Sequence, residues 1–328
     1  MSREAAFLVN NLLFAGFALV VFTGTVFPLL VQALQNKQLT VGEPYFAKMG
    51  VPIGLALLFL MAIGPALPWR AASGEVLRNR LLIPAWAGAL TLVACIAGGA
   101  RGVADVIAFA LGAFALASVA RSVVVGVRAR ARTTSERLPV ATVRTVRSNP
   151  RLYGGLLVHV GVVVLAVALT ASSGYTTKRE VRLSPGQSAT VGGFTVTFLR
   201  THFEATAQKS TVKADVRIRR GTSNLGVYAP AISSYPDFPD GIGTPSVHTD
   251  PWHDVYLTLV SAPSSASAGG PVTLGVQVGT LVMWLWVGGG IMGLGVLIAL
   301  TPTRRRRPII STPPPAAGEP RALAEVAT

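Results

Sequence analysis

The sequence predicts a polytopic α-helical membrane protein of about six transmembrane helices, with a small, mostly β extracytoplasmic domain between the last two. Three observations predict it. Hydrophobic residues make up 51% of the 328 residues and charged ones only 13%, with a mean hydropathy of +0.53, far from the balance of a soluble globular chain. Apolar runs of about 20 residues, the length that crosses a bilayer, recur along the sequence. A single long polar segment, 174–278, instead alternates apolar and polar residues as half-buried strands do.

The apolar runs cover 6–34, 50–68, 82–100, 103–126, 153–173 and 279–301. They divide the chain into a four-helix region over 1–126, a basic loop over 127–152, a fifth span over 153–173, the β domain over 174–278, a sixth span over 279–301 and a disordered tail over 302–328. The opening Met1-Ser2-Arg3-Glu4 leads into an apolar run without an early small-residue cleavage site, so it reads as a retained anchor rather than a signal peptide.

Charge sets the orientation. Between the fourth and fifth spans lie Arg121, Arg128, Arg130, Arg132, Arg137, Arg144, Arg147 and Arg151 against Glu136 alone, which places that loop in the cytoplasm. Working outward, Arg70, Arg78, Arg80 and Arg304–Arg307 also fall inside, and both termini are cytoplasmic. Residues 35–49 and 174–278 then lie outside a bacterial cytoplasmic membrane. The formal charge of +15 is explained by these arginines at span ends, not by nucleic-acid binding.

The outer segment contains the alternating runs Phe194-Thr195-Val196-Thr197-Phe198 and Val255-Tyr256-Leu257-Thr258-Leu259. Turn chemistry at Ser184-Pro185-Gly186, Gly192-Gly193 and Arg220-Gly221 separates the strands. The chain's one cysteine, Cys95, lies in an apolar run, which rules out an intrachain disulfide, a cysteine cluster and the Cys-x-x-Cys-His of a c-type cytochrome. There is no Gly-rich phosphate loop and no hydrolase triad.

The residue that demands explanation is His159, the only ionisable side chain inside the run Leu156-Leu157-Val158-His159-Val160-Gly161-Val162. Intramembrane ionisable groups mark functional sites, and a neutral imidazole suits a haem iron in apolar surroundings. If the span begins near Leu152, His159 lies roughly 10 Å deep, in the cytoplasmic half. Gly155 and Ala166 leave small residues beside it where a flat macrocycle can approach. The alternative is that His159 only hydrogen-bonds a neighbouring helix. A six-coordinate haem needs a second ligand, and His202, His248 and His253 all fall in the outer domain, where they read as surface residues without metal-ligand spacing. The partner imidazole would come from another chain or another copy. Tyr45 and Phe46, in a Pro44-constrained outer loop, are candidates to pack over a haem edge or a partner surface, or to act as interfacial anchors. Trp284 and Trp286 suit the same anchoring role. Arg3, Arg70 and Arg101 are candidates for haem propionates, or topology signals.

The order of segments resembles the C-terminal half of the CcmF/NrfE-type cytochrome c haem lyases. The fragments that carry it are Ser2-Arg3-Glu4-Ala5-Ala6-Phe7-Leu8-Val9-Asn10-Asn11, Val41-Gly42-Glu43-Pro44-Tyr45-Phe46, Ile63-Gly64-Pro65, Trp69-Arg70, Leu157-Val158-His159-Val160-Gly161-Val162, Ser184-Pro185-Gly186, Asp254-Val255-Tyr256 and Trp284-Leu285-Trp286-Val287-Gly288. Glu43 stands where the family usually shows proline. The resemblance implies that His159 is an axial ligand to a resident haem b. It also implies that haem is the substrate, joined to an apocytochrome c. The family's tryptophan-rich WWD loop, its flanking histidines and the second haem b ligand belong to the N-terminal half. The five tryptophans here are scattered.

The reading is therefore a membrane subunit of a haem lyase completed by a WWD-containing N-terminal half, with apocytochrome c and a haem chaperone as further partners. The start at a span boundary favours a natural break or start-site choice over random truncation. The alternatives are a non-catalytic assembly scaffold with a role like that of ResB-type proteins, or a transporter component with His159 in a proton path.

Overall fold

The computed structural model describes residues 3–67, 74–100, 102–236, 238–263 and 270–302. Trp69, Arg70, Arg101, Arg304–Arg307 and the tail over 308–328 lie outside the described residues, as does the side chain of Arg3.

Seven helices are described: α1 (Arg3–Gln35), α2 (Glu43–Ile63), α3 (Gly74–Ala97), α4 (Val103–Thr134), α5 (Leu138–Ser148), α6 (Pro150–Gly174) and α7 (Met283–Leu300). All but α5 are long and apolar enough to cross a membrane, so the protein is a multi-pass membrane protein. Pro28, Pro52 and Pro84 lie inside α1, α2 and α3, which run on through them, as transmembrane helices allow when neighbours satisfy the freed carbonyl.

Two boundaries differ from the sequence expectation. The second span starts at Glu43 and stops at Ile63, because Pro44 suits a first helical turn and Gly64-Pro65 redirects the chain into a 3₁₀ turn over Gly64–Ala66. The expected outer loop around Tyr45 and Phe46 is therefore helix. The basic segment is also largely helical. α4 runs on to Thr134, ends on Ser135 in the left-handed region (φ 53°), and α5 follows. Arginine and alanine favour that continuation. Burial opposes ionisation of Glu136, but hydrogen bonds from Arg144 and Arg130 outweigh it and hold its pKa below the usual carboxylate value.

The α6–α7 contact is built on glycine. A Cβ on Gly154 would lie 2.6 Å from the Gly295 carbonyl oxygen, and one on Gly161 would lie 2.7 Å from that of Gly288. In each helix the two glycines are two turns apart, so the backbones touch along one stripe, the small-residue packing that membranes favour. Leu58, Ala62, Ala115 and Val163 form a small core where α2, α4 and α6 meet.

Between α6 and α7 the chain forms two antiparallel sheets. One has the order β1 (Thr177–Leu183), β10 (Val272–Thr280), β9 (His253–Ser261), β8 (Ser246–Thr249). The other has the order β2 (Ser188–Val191), β3 (Phe194–Ala205), β4 (Ser210–Arg220), β6 (Ala231–Tyr235), β7 (Phe238–Thr244), with β5 (Ser223–Tyr228) also paired to β4. Alternate residues point inward: Phe194, Val196 and Phe198 of β3, and Val255, Leu257 and Leu259 of β9, join a core continuous across both sheets. Gly192 and Gly193 turn β2 into β3 with φ of 57° and 82°, a region open to glycine but costly for other residues. The domain is fixed to the bundle at its exit. The Leu281 N–H donates to the Trp252 carbonyl at 2.9 Å, and Trp284 Nε1 donates to the Pro251 carbonyl at 2.8 Å.

Candidate functional site

Residues 151, 155, 159, 162 and 166 follow the helical repeat along one stripe of α6. Gly154 and Gly161 lie off that stripe, turned farthest from His159, against α7. The glycine contact thus turns Arg151, Gly155, His159, Val162 and Ala166 away from α7, and all five line one cavity of about 900 Å³. Its other walls come from Ala6, Phe7, Asn10 and Phe14 of α1, from Gly54, Leu57, Leu58 and Met61 of α2, from Gly64-Pro65, and from Ser122 of α4. The lining is mostly apolar.

His159 is half-buried, and its Nδ1 is buried with no hydrogen-bond partner. That atom therefore ties His159 to no neighbouring helix. A Cβ placed on Gly155 meets nothing within 4 Å, so the wall is open one turn before the imidazole. The Ser122 hydroxyl is occupied, donating to the Ser118 carbonyl at 2.9 Å.

The other expected residues lie elsewhere. Tyr45 and Phe46, expected on a loop that could cover a haem edge, sit in the first turn of α2, pack against Gly24 of α1 and do not line the cavity. Their rings meet edge to face at 5.2 Å, and the Tyr45 hydroxyl donates to the Val20 carbonyl at 3.2 Å. Pro44 starts the helix and carries both rings onto α1. In the β domain, His202 Nε2 is 2.5 Å from Asp215 Oδ2, His248 Nδ1 is 2.7 Å from the Tyr228 hydroxyl, and His253 lies beside Arg220 and Asp250. Among the described residues no group of histidine, cysteine and carboxylate side chains is arranged to hold a metal.

Sequence reasoning missed the walls supplied by α1, α2 and α4, because pairing between distant helices has no local signature. It also passed over Arg151, read there only as a topology signal; the signal that could have found it is its place two helical turns before His159.

No family model matches the chain. It is 29% identical over 306 residues to the cytochrome c-type biogenesis protein CcmF of Pseudomonas aeruginosa, covering 93% of this chain and 45% of that protein. CcmF of Pseudomonas fluorescens is 30% identical, with 93% and 44% covered. The cytochrome c-type biogenesis protein ccl1 of Rhodobacter capsulatus is 29% identical, with 93% and 45% covered. A solved structure of "Cytochrome c Heme Lyase CcmF" superposes with a TM-score of 0.69 at 29% identity, covering 92% of this chain and 46% of that one. The chain spans somewhat under half the length of these relatives. Over nearly all of its own length, then, this chain is a homologue of the CcmF/NrfE-type cytochrome c biogenesis proteins, related to a stretch of less than half of each.

Proposed function

We propose that this chain is a membrane subunit of a cytochrome c haem lyase, in which His159 supplies one axial ligand to a resident haem b and a WWD-containing partner supplies the other ligand and holds the incoming haem. The observation that carries the reading is an imidazole with an unpartnered buried nitrogen on the wall of an apolar cavity of about 900 Å³. That volume lies within the range of cofactor sites, and the open space at Gly155 supports close approach of a flat ring. When bound there, a haem b held by His159 would supply one-electron chemistry for keeping a substrate haem reduced.

The chain's own residues hold and shield. Glycine contacts with α7 fix the roll of α6, and so the face of the helix from which His159 projects into the cavity. Phe14, Leu58 and Val162 line the cavity with hydrocarbon and exclude water from the imidazole. The attachment step depends mainly on positioning, and in this reading the β domain contributes by docking apocytochrome c or a haem chaperone. The basic segment around α5 lies in the cytoplasm with both termini, which puts the β domain outside the cytoplasmic membrane.

Co-expression with the WWD-containing partner, purification and an absorption spectrum test the reading. A bis-histidine b-type spectrum that disappears in His159→Ala is expected. A colourless complex, or an iron spectrum unchanged by the substitution, overturns it. A colourless complex that still supports cytochrome assembly would mark a scaffold.

A further inference from the structure

Among the described residues that line the His159 cavity, Arg151 is the only one that carries a charge; Asn10, Ser122 and His159 are the other polar side chains, and the rest are apolar or glycine. It stands on the His159 stripe of α6, eight residues earlier, roughly 12 Å along the helix axis. Gly155 lies midway between them, where a Cβ would meet nothing. The result is an open trough on one helix, with a cation at one end and an imidazole at the other.

Arg151 is also free to take a ligand. Glu136, the acid of the neighbouring basic segment, is held by Arg130 and Arg144, and among the described residues no carboxylate lies within ion-pair distance of Arg151. Its position in the first turn of α6 adds the positive end of the helix dipole to its own charge. A guanidinium offers paired N–H donors that match a carboxylate. The carboxylates are the only anionic groups on the rim of a b-type macrocycle, and Arg151, at the cytoplasmic end of α6, would meet them at the membrane interface.

We propose that Arg151 anchors a carboxylate of the macrocycle whose iron His159 holds, fixing the ring's rotation in the cavity and favouring its reduced state. This rests on the haem reading of His159. A nearby cation disfavours the more positive ferric form. At an effective dielectric constant near 20 and a separation near 10 Å, its removal changes the ferric–ferrous equilibrium roughly tenfold, about 59 mV for one electron.

The test uses the complex with its WWD-containing partner. Arg151→Gln, with Arg151→Met as a second neutral variant, should keep the axial-ligand spectrum of the parent but titrate at lower potential. Arg151→Lys should restore most of the difference, which a purely structural role would not predict. Haem-depleted parent complex should rebind haem dimethyl ester roughly tenfold more weakly than haem, and the neutral variants should bind the two alike. If neutral variants match the parent in potential and in preference for free carboxylates, Arg151 is not the anchor, while the His159 reading stands. If the parent complex holds no haem, or if His159→Ala leaves the spectrum intact, both proposals fail.

Discussion

The β domain and the helical bundle are built on opposite packing logic. The β domain closes its own core with large side chains: Phe194, Phe198, Ile218, Leu257 and Leu274 are almost wholly buried. The bundle buries mainly small residues. Its closest contacts are glycine on glycine, while Leu90, Val93 and Trp286 point outward at 65%, 63% and 82% exposure. A chain in water gains by hiding large apolar groups, whereas one in lipid gains little from that and depends on close backbone approach. The bundle's cavity beside His159 is accordingly walled by helices that meet through small residues, not by an interlocked core of large ones.

The comparison is broken most sharply by exchanging the two kinds of substitution. Phe198→Ala in the β domain should destabilise that domain by about 3–5 kcal/mol, measured by chemical denaturation followed through its strand signal. Gly161→Leu in the bundle should cost about 1–3 kcal/mol or more through overpacking, because the new Cβ would collide with the Gly288 carbonyl. Its thermal unfolding in detergent should show loss of helix before loss of strand.

A smaller effect separates the two regions by pH. Burial of Asp215 opposes its ionisation, but hydrogen bonds from His202 and Arg200 outweigh it and lower its pKa in the folded protein. A depressed carboxylate pKa stabilises the fold above the unfolded value of about 3.9, and that contribution is lost as the pH falls through the folded value. Asp215→Asn should therefore flatten the loss of β-domain stability below about pH 4, with a cost near neutrality of about 1 kcal/mol or less for so exposed a partner as Arg200. Smallest of all, Leu90→Ala on the lipid-facing side of α3 should change bundle stability by less than about 0.5 kcal/mol. A large effect there would show that α3 packs against a protein partner instead of lipid.

Much of this was legible before folding, because it depends on local composition and period. The apolar runs give membrane spans from length alone, and the alternation of Phe194-Thr195-Val196-Thr197-Phe198 requires one face of a strand to be buried. Gly186, Gly192, Gly193 and Gly221 sit at turns with positive φ, as their turn sequences suggested. His159 drew attention because an ionisable group in an apolar run needs a reason. The reading failed at Tyr45 and Phe46, where Pro44 suggested a rigid loop but occupies the first turn of a helix. Proline fits both, and only the contact with Gly24 separates them.

The sequence by itself determined the membrane class, the strand-rich insertion and the isolated imidazole, since each follows from the solvation of residues close together in the chain. Tertiary structure decided which way that imidazole faces. The match of Gly154 and Gly161 with Gly295 and Gly288 joins segments separated by an entire domain, and this contact rolls α6 so that Arg151, Gly155 and His159 open onto a cavity walled by α1 and α2. Helical period places residues on a common face, but only the partner helix settles where that face points.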